Sequence, residues 1–253
     1  MTRKVRLIIA TLCALLIAPA LAVVIMHIPE FGHHALPYGD AINHTAGTER
    51  HVTNMVSAVN FDYRAFDTLG EELMLVAAVT GTLVLLRGRR GESLSDQAAQ
   101  AGNRPVCERS EAVTLACRFF LPIIIAFGIY VILHAQLTPG GGFQGGVIMA
   151  SAAVFLYLAG QFAVLRRVSP NALLEAADSL GAGGYVLIGL AGLASGAAFL
   201  QNILPLGPVG QVYSAGTIWA ISIAVGLEVS AAFVLLMLEF LEQTLEMRQR
   251  RNE

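Results

Sequence analysis

Long apolar runs alternate with short polar breaks along this chain, and six of the runs are long enough to cross a bilayer, which takes about 20 mostly apolar residues. They cover residues 7–28, 66–86, 113–134, 145–165, 183–200 and 214–241. The pattern predicts an all-α integral membrane protein of six transmembrane helices. The first run shares features with a signal peptide: a basic start at Arg3, Lys4 and Arg6, and Ala-Leu-Ala ending at Ala22. Its apolar stretch continues through Val23-Val24-Ile25-Met26, so we read it as a retained helix.

The polar breaks set an expected orientation, because Lys and Arg gather in cytoplasmic loops. Arg3, Lys4 and Arg6 precede the first run; Arg87, Arg89, Arg90, Arg104 and Arg109 follow the second. Arg166 and Arg167 follow the fourth, and Arg248, Arg250 and Arg251 follow the sixth. Only Arg50 and Arg64 fall on the other side. Both termini are therefore expected in the cytoplasm of a cell whose inner (plasma) membrane holds the chain. Two modules are expected. Residues 1–90 form a two-helix module with a long outer loop at 27–65. Residues 91–112 form a cytoplasmic linker, and residues 113–247 form a four-helix domain with very short, nearly uncharged outer connections. Arg118, inside the third run, either snorkels or pairs with an acid.

Composition agrees with a membrane protein. The hydrophobic fraction is 55% and the charged fraction 13%, against roughly a quarter charged in soluble domains. Mean hydropathy is +0.64. A net charge of -2 gives no electrostatic support for nucleic-acid binding. Cys13, Cys107 and Cys117 have no metal or redox spacing and are read as reduced and structural.

Between the third and fourth runs lies Thr138-Pro139-Gly140-Gly141-Gly142-Phe143-Gln144-Gly145-Gly146. Five glycines and a proline there argue against an uninterrupted helix. Broken backbone at a membrane is tolerated where protein or a wet cavity satisfies its polar groups, and such breaks often line ion paths. A tight helix–helix turn is the plainer reading. Gly140-x-Gly142-x-x-Gly145 formally matches a dinucleotide fingerprint, but it lacks the strand and the acidic partner that motif needs.

Acids inside apolar runs carry the chemistry. Glu228 falls near the middle of the sixth run, where a charge costs about 2.5 to 3.5 kcal/mol on insertion scales. It is read as an ion or proton group, with a neutral packing role as the alternative. Asp67, Thr68, Glu71 and Glu72 open the second run. Thr68-x-x-Glu71 fits a capping box, and Asp67 is an alternative cap. The same carboxyls at a membrane entrance also suit cation attraction or proton relay. His134 ends the third run, where an imidazole suits proton carriage or sits as an ordinary interfacial side chain. His33, His34, His44 and His51 crowd the outer loop without a compact ligand spacing, so a solvated loop is favoured over a metal site. Gly192-x-x-x-Gly196 reads as a close-packing helix face. No activated serine or Cys–His arrangement is visible, so no independent catalytic centre is expected.

The stretch Val131-Ile-Leu-His134-Ala-Gln-Leu-Thr-Pro-Gly-Gly-Gly-Phe-Gln-Gly-Gly146 resembles the signature of the MnhB (MrpB) family, the B-type subunits of the Mrp/Mnh multisubunit cation/proton antiporters. Ala198-Phe-Leu-Gln-Asn202 and Ala224-Val-Gly-Leu-Glu228-Val fit as well, and the resemblance runs from about residue 113 onward. The segment from Asn54 to Glu71 is similar to the C-terminal part of the A-type subunits of the same antiporters, and equally to the small subunit that replaces it in membrane-bound hydrogenases. The resemblance implies an MnhB-like accessory subunit of a Na+/H+ antiporter, fused to a second small module. It implies antiporter-like membrane subunits as partners, Na+ and H+ as transported ions, and no cofactor or metal. The family's motifs map onto Asp67, Thr68, Glu71, His134, Pro139 and the glycines, and together with the acids read above the expected ion or proton pathway is Asp67, Thr68, Glu71, Glu72, His134, Thr138 and Glu228, beside the structural motif Pro139, Gly140, Gly141, Gly142, Gly145 and Gly146. A membrane-arm subunit of a redox-driven complex and a structural scaffold are the alternatives.

Overall fold

The computed structural model describes residues 3–28, 37–87, 110–160 and 162–252. The described residues are helical or irregular, with no strand among them. The helices are α1 (Arg3–Met26), α2 (Pro37–Glu49), α3 (Met55–Ala58), α4 (Ala65–Arg87), α5 (Glu111–Leu133), α6 (Gly142–Leu158), α7 (Phe162–Val168), α8 (Asn171–Ala194) and α9 (Thr217–Asn252). A π-helical turn, Val59–Tyr63, links α3 to α4. The chain divides into two compact units, Met1–Ala41 and Ile42–Glu253. The smaller unit is dominated by α1, apolar on all sides and exposed throughout its span. The linker with Cys107, and His33 and His34 of the outer loop, lie outside the described residues.

In the larger unit α9 is the central post. Ile218, Ile221, Val225, Glu228, Val229 and Ala232 on it are fully buried. Helices α4, α5, α6 and α8 pack around it. Glycines bring two of them close. A Cβ on Gly142 would lie 2.3 Å from the Ser222 carbonyl oxygen, and one on Gly146 2.8 Å from Val229 Cβ. On the neighbouring face of α6, a Cβ on Gly145 would lie 2.8 Å from the Gly128 carbonyl oxygen of α5. The expected glycine break is thus shorter than its motif. The chain turns at His134–Gly141, and the last three motif glycines sit inside α6 as a close-approach surface.

Among the described residues five helices are long and apolar enough to cross a membrane: Leu7–Met26, Ala65–Leu86, Glu111–Leu133, Asn171–Ala194 and Thr217–Thr244. The fourth expected span, residues 145–165, is the 17-residue α6, which ends in a turn at Ala159 and Gly160 before the short α7. Gly160 takes φ +75°, a conformation that stops a helix. The fifth span differs most from the sequence reading. It begins at Asn171 rather than residue 183 and ends at Ala194. Residues 195–200 are apolar yet not helical, because a Schellman turn closes α8. Gly196, at φ +80°, donates its N–H to the Leu193 carbonyl, and Ala197 donates to the Gly192 carbonyl, both at 3.0 Å. The Gly192/Gly196 pair is therefore a helix stop and not a helix-packing face. The connection from α8 to α9 then runs from Ser195 to Gly216, so it is long, although uncharged as expected.

The capping box at Thr68 and Glu71 does not form either. Helix α4 starts at Ala65, three residues earlier, because the chain enters it directly from the π-helical turn. The Arg64 N–H bonds back to the Val59 carbonyl at 2.8 Å, and the Asp67 N–H to the Arg64 carbonyl at 3.0 Å. Since α4 packs on α8 and α9, the second helix of the expected first module shares one core with the later helices.

Candidate functional site

Three buried carboxyls from three helices meet beside α9. Glu228 of α9 is 0% exposed, Glu72 of α4 is 3% and Asp178 of α8 is 6%. Neither carboxyl oxygen of Glu228 has an N–H or side-chain alcohol donor, and the same holds for Glu72 Oε2 and Asp178 Oδ1. Glu72 and Asp178 are the charged neighbours of Glu228, and Glu72 lies within hydrogen-bonding reach of it. Two carboxyls bond to each other only when one carries a proton. Gly181 of α8 makes the meeting possible: a Cβ there would lie 2.6 Å from both Glu228 Cβ and Glu228 N. Gly184 comes next to Ala224, so α8 runs antiparallel to α9.

A cavity of about 260 Å³ opens onto this cluster. Thr68, Glu71 and Glu72 of α4, Gly140 and Gly141 of the turn, and Val225 of α9 line it. The structure thus gathers Thr68, Glu71, Glu72 and part of the glycine motif at one place, with Glu228 one helical turn beyond Val225.

Other expected site residues lie elsewhere. Asp67 faces a different cavity, with Phe199 and Gln201, and is half exposed in an ion pair with Arg64 at 2.5 Å. His134 stacks on Tyr130 with ring centroids 4.1 Å apart, and its Nδ1 lies 3.0 Å from the Tyr130 carbonyl oxygen. Thr138 donates to the His134 carbonyl oxygen at 3.3 Å. Pro139 is exposed at the turn. His134, Thr138 and Pro139 belong to the turn, and Asp67 pairs with Arg64 instead of the buried carboxyls. His44 lies on α2, while His51 bonds through Nδ1 to the Gly207 carbonyl. Among the described residues no cluster of His, Cys, Asp and Glu suits a metal.

Several positioning residues escaped the sequence reading. Asn54 Nδ2 donates to the carbonyls of Ala135, Thr138 and Gly140 at 2.7, 2.9 and 3.1 Å. Ser57 Oγ donates to the Ala135 carbonyl at 2.6 Å, and the N–H groups of Thr53 and Asn54 both reach the Gln136 carbonyl. The segment before α3 therefore clamps the turn that carries the glycine motif. Asn202 plays a similar part at α9. Its Oδ1 accepts from the Thr217 N–H at 2.9 Å, and its Nδ2 donates to Asp62 Oδ2 at 3.1 Å and to the Ala215 carbonyl at 3.0 Å. Asp62 also pairs with Arg50 at 3.0 Å. Burial pushes the Asp62 carboxyl above the usual carboxylate range, against the pull of Asn202 and Arg50.

A domain related to the MnhB subunit of Na+/H+ antiporters matches residues 112–235. The chain is 34% identical over 221 residues to uncharacterized protein MJ1307 of Methanocaldococcus jannaschii, covering 77% of this chain and 81% of that protein. It is 39% identical over 83 residues to the B-type subunit of the Na(+)/H(+) antiporter of Bacillus subtilis, covering 32% of this chain and 55% of that protein. Against the combined A/B-type subunit of a probable K(+)/H(+) antiporter of Rhizobium meliloti, identity is 29% and only 12% of that longer protein is covered. Among solved structures, a chain of the membrane-bound sulfane sulfur reductase, an archaeal respiratory membrane complex, matches with TM-score 0.71 and 31% identity, covering 94% of this chain and 98% of that one. A chain of the Mrp complex from Dietzia sp. DQ12-45-1b shares the fold at TM-score 0.69 and 21% identity, over 94% of this chain and 26% of that one. The chain, a multi-pass α-helical membrane protein, belongs to the family built on the domain related to the MnhB subunit of Na+/H+ antiporters.

Proposed function

We propose that this chain is a membrane subunit of a multisubunit cation/proton antiporter-type complex and that Glu72 and Glu228 carry protons within it. The observation behind this reading is Glu228 itself: a carboxyl near the middle of the apolar stretch of α9, fully buried, without an N–H or alcohol donor, and beside a second buried carboxyl. A packing role alone gives no reason to keep two neighbouring buried acids where they oppose insertion. The cavity lined by Thr68, Glu71, Gly140 and Gly141 gives the pair its entrance. Asp67, His134 and Thr138, all part of the expected pathway, are left outside it on the positions described above.

The chain has no catalytic centre of its own in this reading. Its partners are other antiporter-like subunits, and H+ with Na+ or another monovalent cation are the transported ions. A redox-driven parent is the second reading, supported by the match to the respiratory sulfane sulfur reductase complex over 98% of that chain. Purification of the tagged chain in mild detergent tests the assignment. Antiporter-like subunits are expected to copurify, with cation-dependent proton movement once the complex is in vesicles. Recovery of the chain as a lone, flux-free species would overturn the subunit reading, and copurified redox subunits would select the second one.

A further inference from the structure

Glu72 is one charged neighbour of Glu228, and Asp178, the other, lines a second cleft. A cavity of about 380 Å³ is lined by Thr80, Leu83 and Val84 of α4, by Glu175, Asp178 and Ser179 of α8, and by Leu235 of α9. The two cavities lie at different levels. Along α4 they meet residues 68–72 and then 80–84; along α9 they meet Val225 and then Leu235. Helices α4 and α9 are thus parallel, and at 1.5 Å per residue the cavities are separated by about 15 Å along α9. Glu228 lies in the interval. Because α8 is antiparallel and Gly181 sits on Glu228, Asp178 is one turn further toward the second cavity.

We propose that Asp178 is the third member of a proton relay, Glu72–Glu228–Asp178, that joins the two cavities across three helices. The proposal rests on the transport reading above and adds both a residue and a route to it. Each transfer breaks one carboxyl O–H bond and forms another, leaving the donor as carboxylate. Glu72 and Glu228 exchange directly. Glu228 reaches Asp178 through water from the second cleft, which is roomy and lined by Asp178, whose buried Oδ1 has no donor. A proton suits the cluster better than a sodium ion. No side-chain hydroxyl bonds to either Glu228 oxygen among the described residues, whereas sodium needs a shell of several oxygens. Of the charged groups around the relay, Glu72 and Asp178 act on Glu228, and Glu71 acts on Glu72.

Two measurements test the relay. In vesicles holding the whole complex, Asp178→Asn is expected to cut cation-dependent proton flux by about 10²-fold, the scale of a lost acid–base group, at normal subunit levels. Asp178→Glu, which restores a titrating carboxyl, is expected to recover part of it. Wild-type flux in an assembled Asp178→Asn complex would overturn the relay while leaving Glu72 and Glu228 as carriers; wild-type flux in Glu228→Gln as well would remove the transport reading too. The second measurement needs no assembly: infrared spectra of the full chain in bilayers, read at the carbonyl stretch of protonated carboxyls. Deuterium is expected to shift a band that disappears in Glu228→Gln and moves in Asp178→Asn, and added NaCl is expected to leave it unchanged. Loss of the band on adding NaCl at fixed pH would make the cluster a cation site, and an Asp178→Asn spectrum identical to wild type would separate Asp178 from the pair.

Discussion

Glycines decide which side chains in this protein lose their solvent. Gly181 lets α8 close onto Glu228, and Gly142 and Gly146 let α6 close onto α9. At Gly181 a methyl group would meet backbone, which cannot swing aside as a flexible side chain can. Overpacking of this kind costs about 1 to 3 kcal/mol. Gly181→Ala is therefore expected to lower the thermal unfolding temperature of the purified chain in detergent; an unchanged transition would mean that the helices do not meet as closely as described. Gly142→Leu places a branched side chain against the Ser222 carbonyl and Val225. It is expected to reduce assembly or activity at every pH, as read by subunit levels and flux together. Glu228→Gln differs in kind, since it keeps size and hydrogen-bonding capacity but cannot titrate.

The elements are anchored by polar side chains that hydropathy does not weigh. Asn54 ties three carbonyls of the glycine turn to the segment before α3. Asn54→Ala leaves those carbonyls short of a donor and is expected to destabilise the fold by about 1 to 3 kcal/mol. Hydrogen exchange is expected to speed up in residues 134–141 before the rest of the molecule, and uniform protection would contradict the anchoring role. The same contrast explains what the sequence revealed. The runs forming α1, α4, α5 and α9 were legible because each holds a long, strongly apolar stretch, with mean hydropathy of 1.8 or more. Helix α8 was read twelve residues late because its first half carries Asn171, Glu175, Asp178 and Ser179 and its hydropathy is only 1.3. That misplacement put Asp178 outside any span and hid the third carboxyl. Glu228 was visible because it interrupts a continuous apolar run, and Glu72 because it follows Glu71 at the head of one. That Thr68 and Glu72 face the glycine turn was not legible, since it depends on long-range clamps at Asn54 and Ser57.

At the scale of the molecule, large apolar faces remain uncovered. Phe119, Phe120, Ile123 and Phe127 of α5 are exposed, as is most of α1. Such surface suits lipid or neighbouring membrane subunits. The positive-inside pattern puts the α8–α9 connection on the outer side, so a cysteine at the exposed Gln211 is expected to react with an impermeant reagent in intact cells. Labelling only after the membrane is opened would reverse the orientation. The fold places carboxyls from α4, α8 and α9 in one column inside the span, which no single helix achieves. The most direct test of whether that column moves protons is the flux of the assembled complex carrying Glu228→Gln, measured in vesicles as cation-dependent collapse of a pH gradient with subunit levels followed in parallel. The account expects full assembly and flux lower by about 10²-fold. Full assembly with wild-type flux would contradict it and leave Glu228 a packing group.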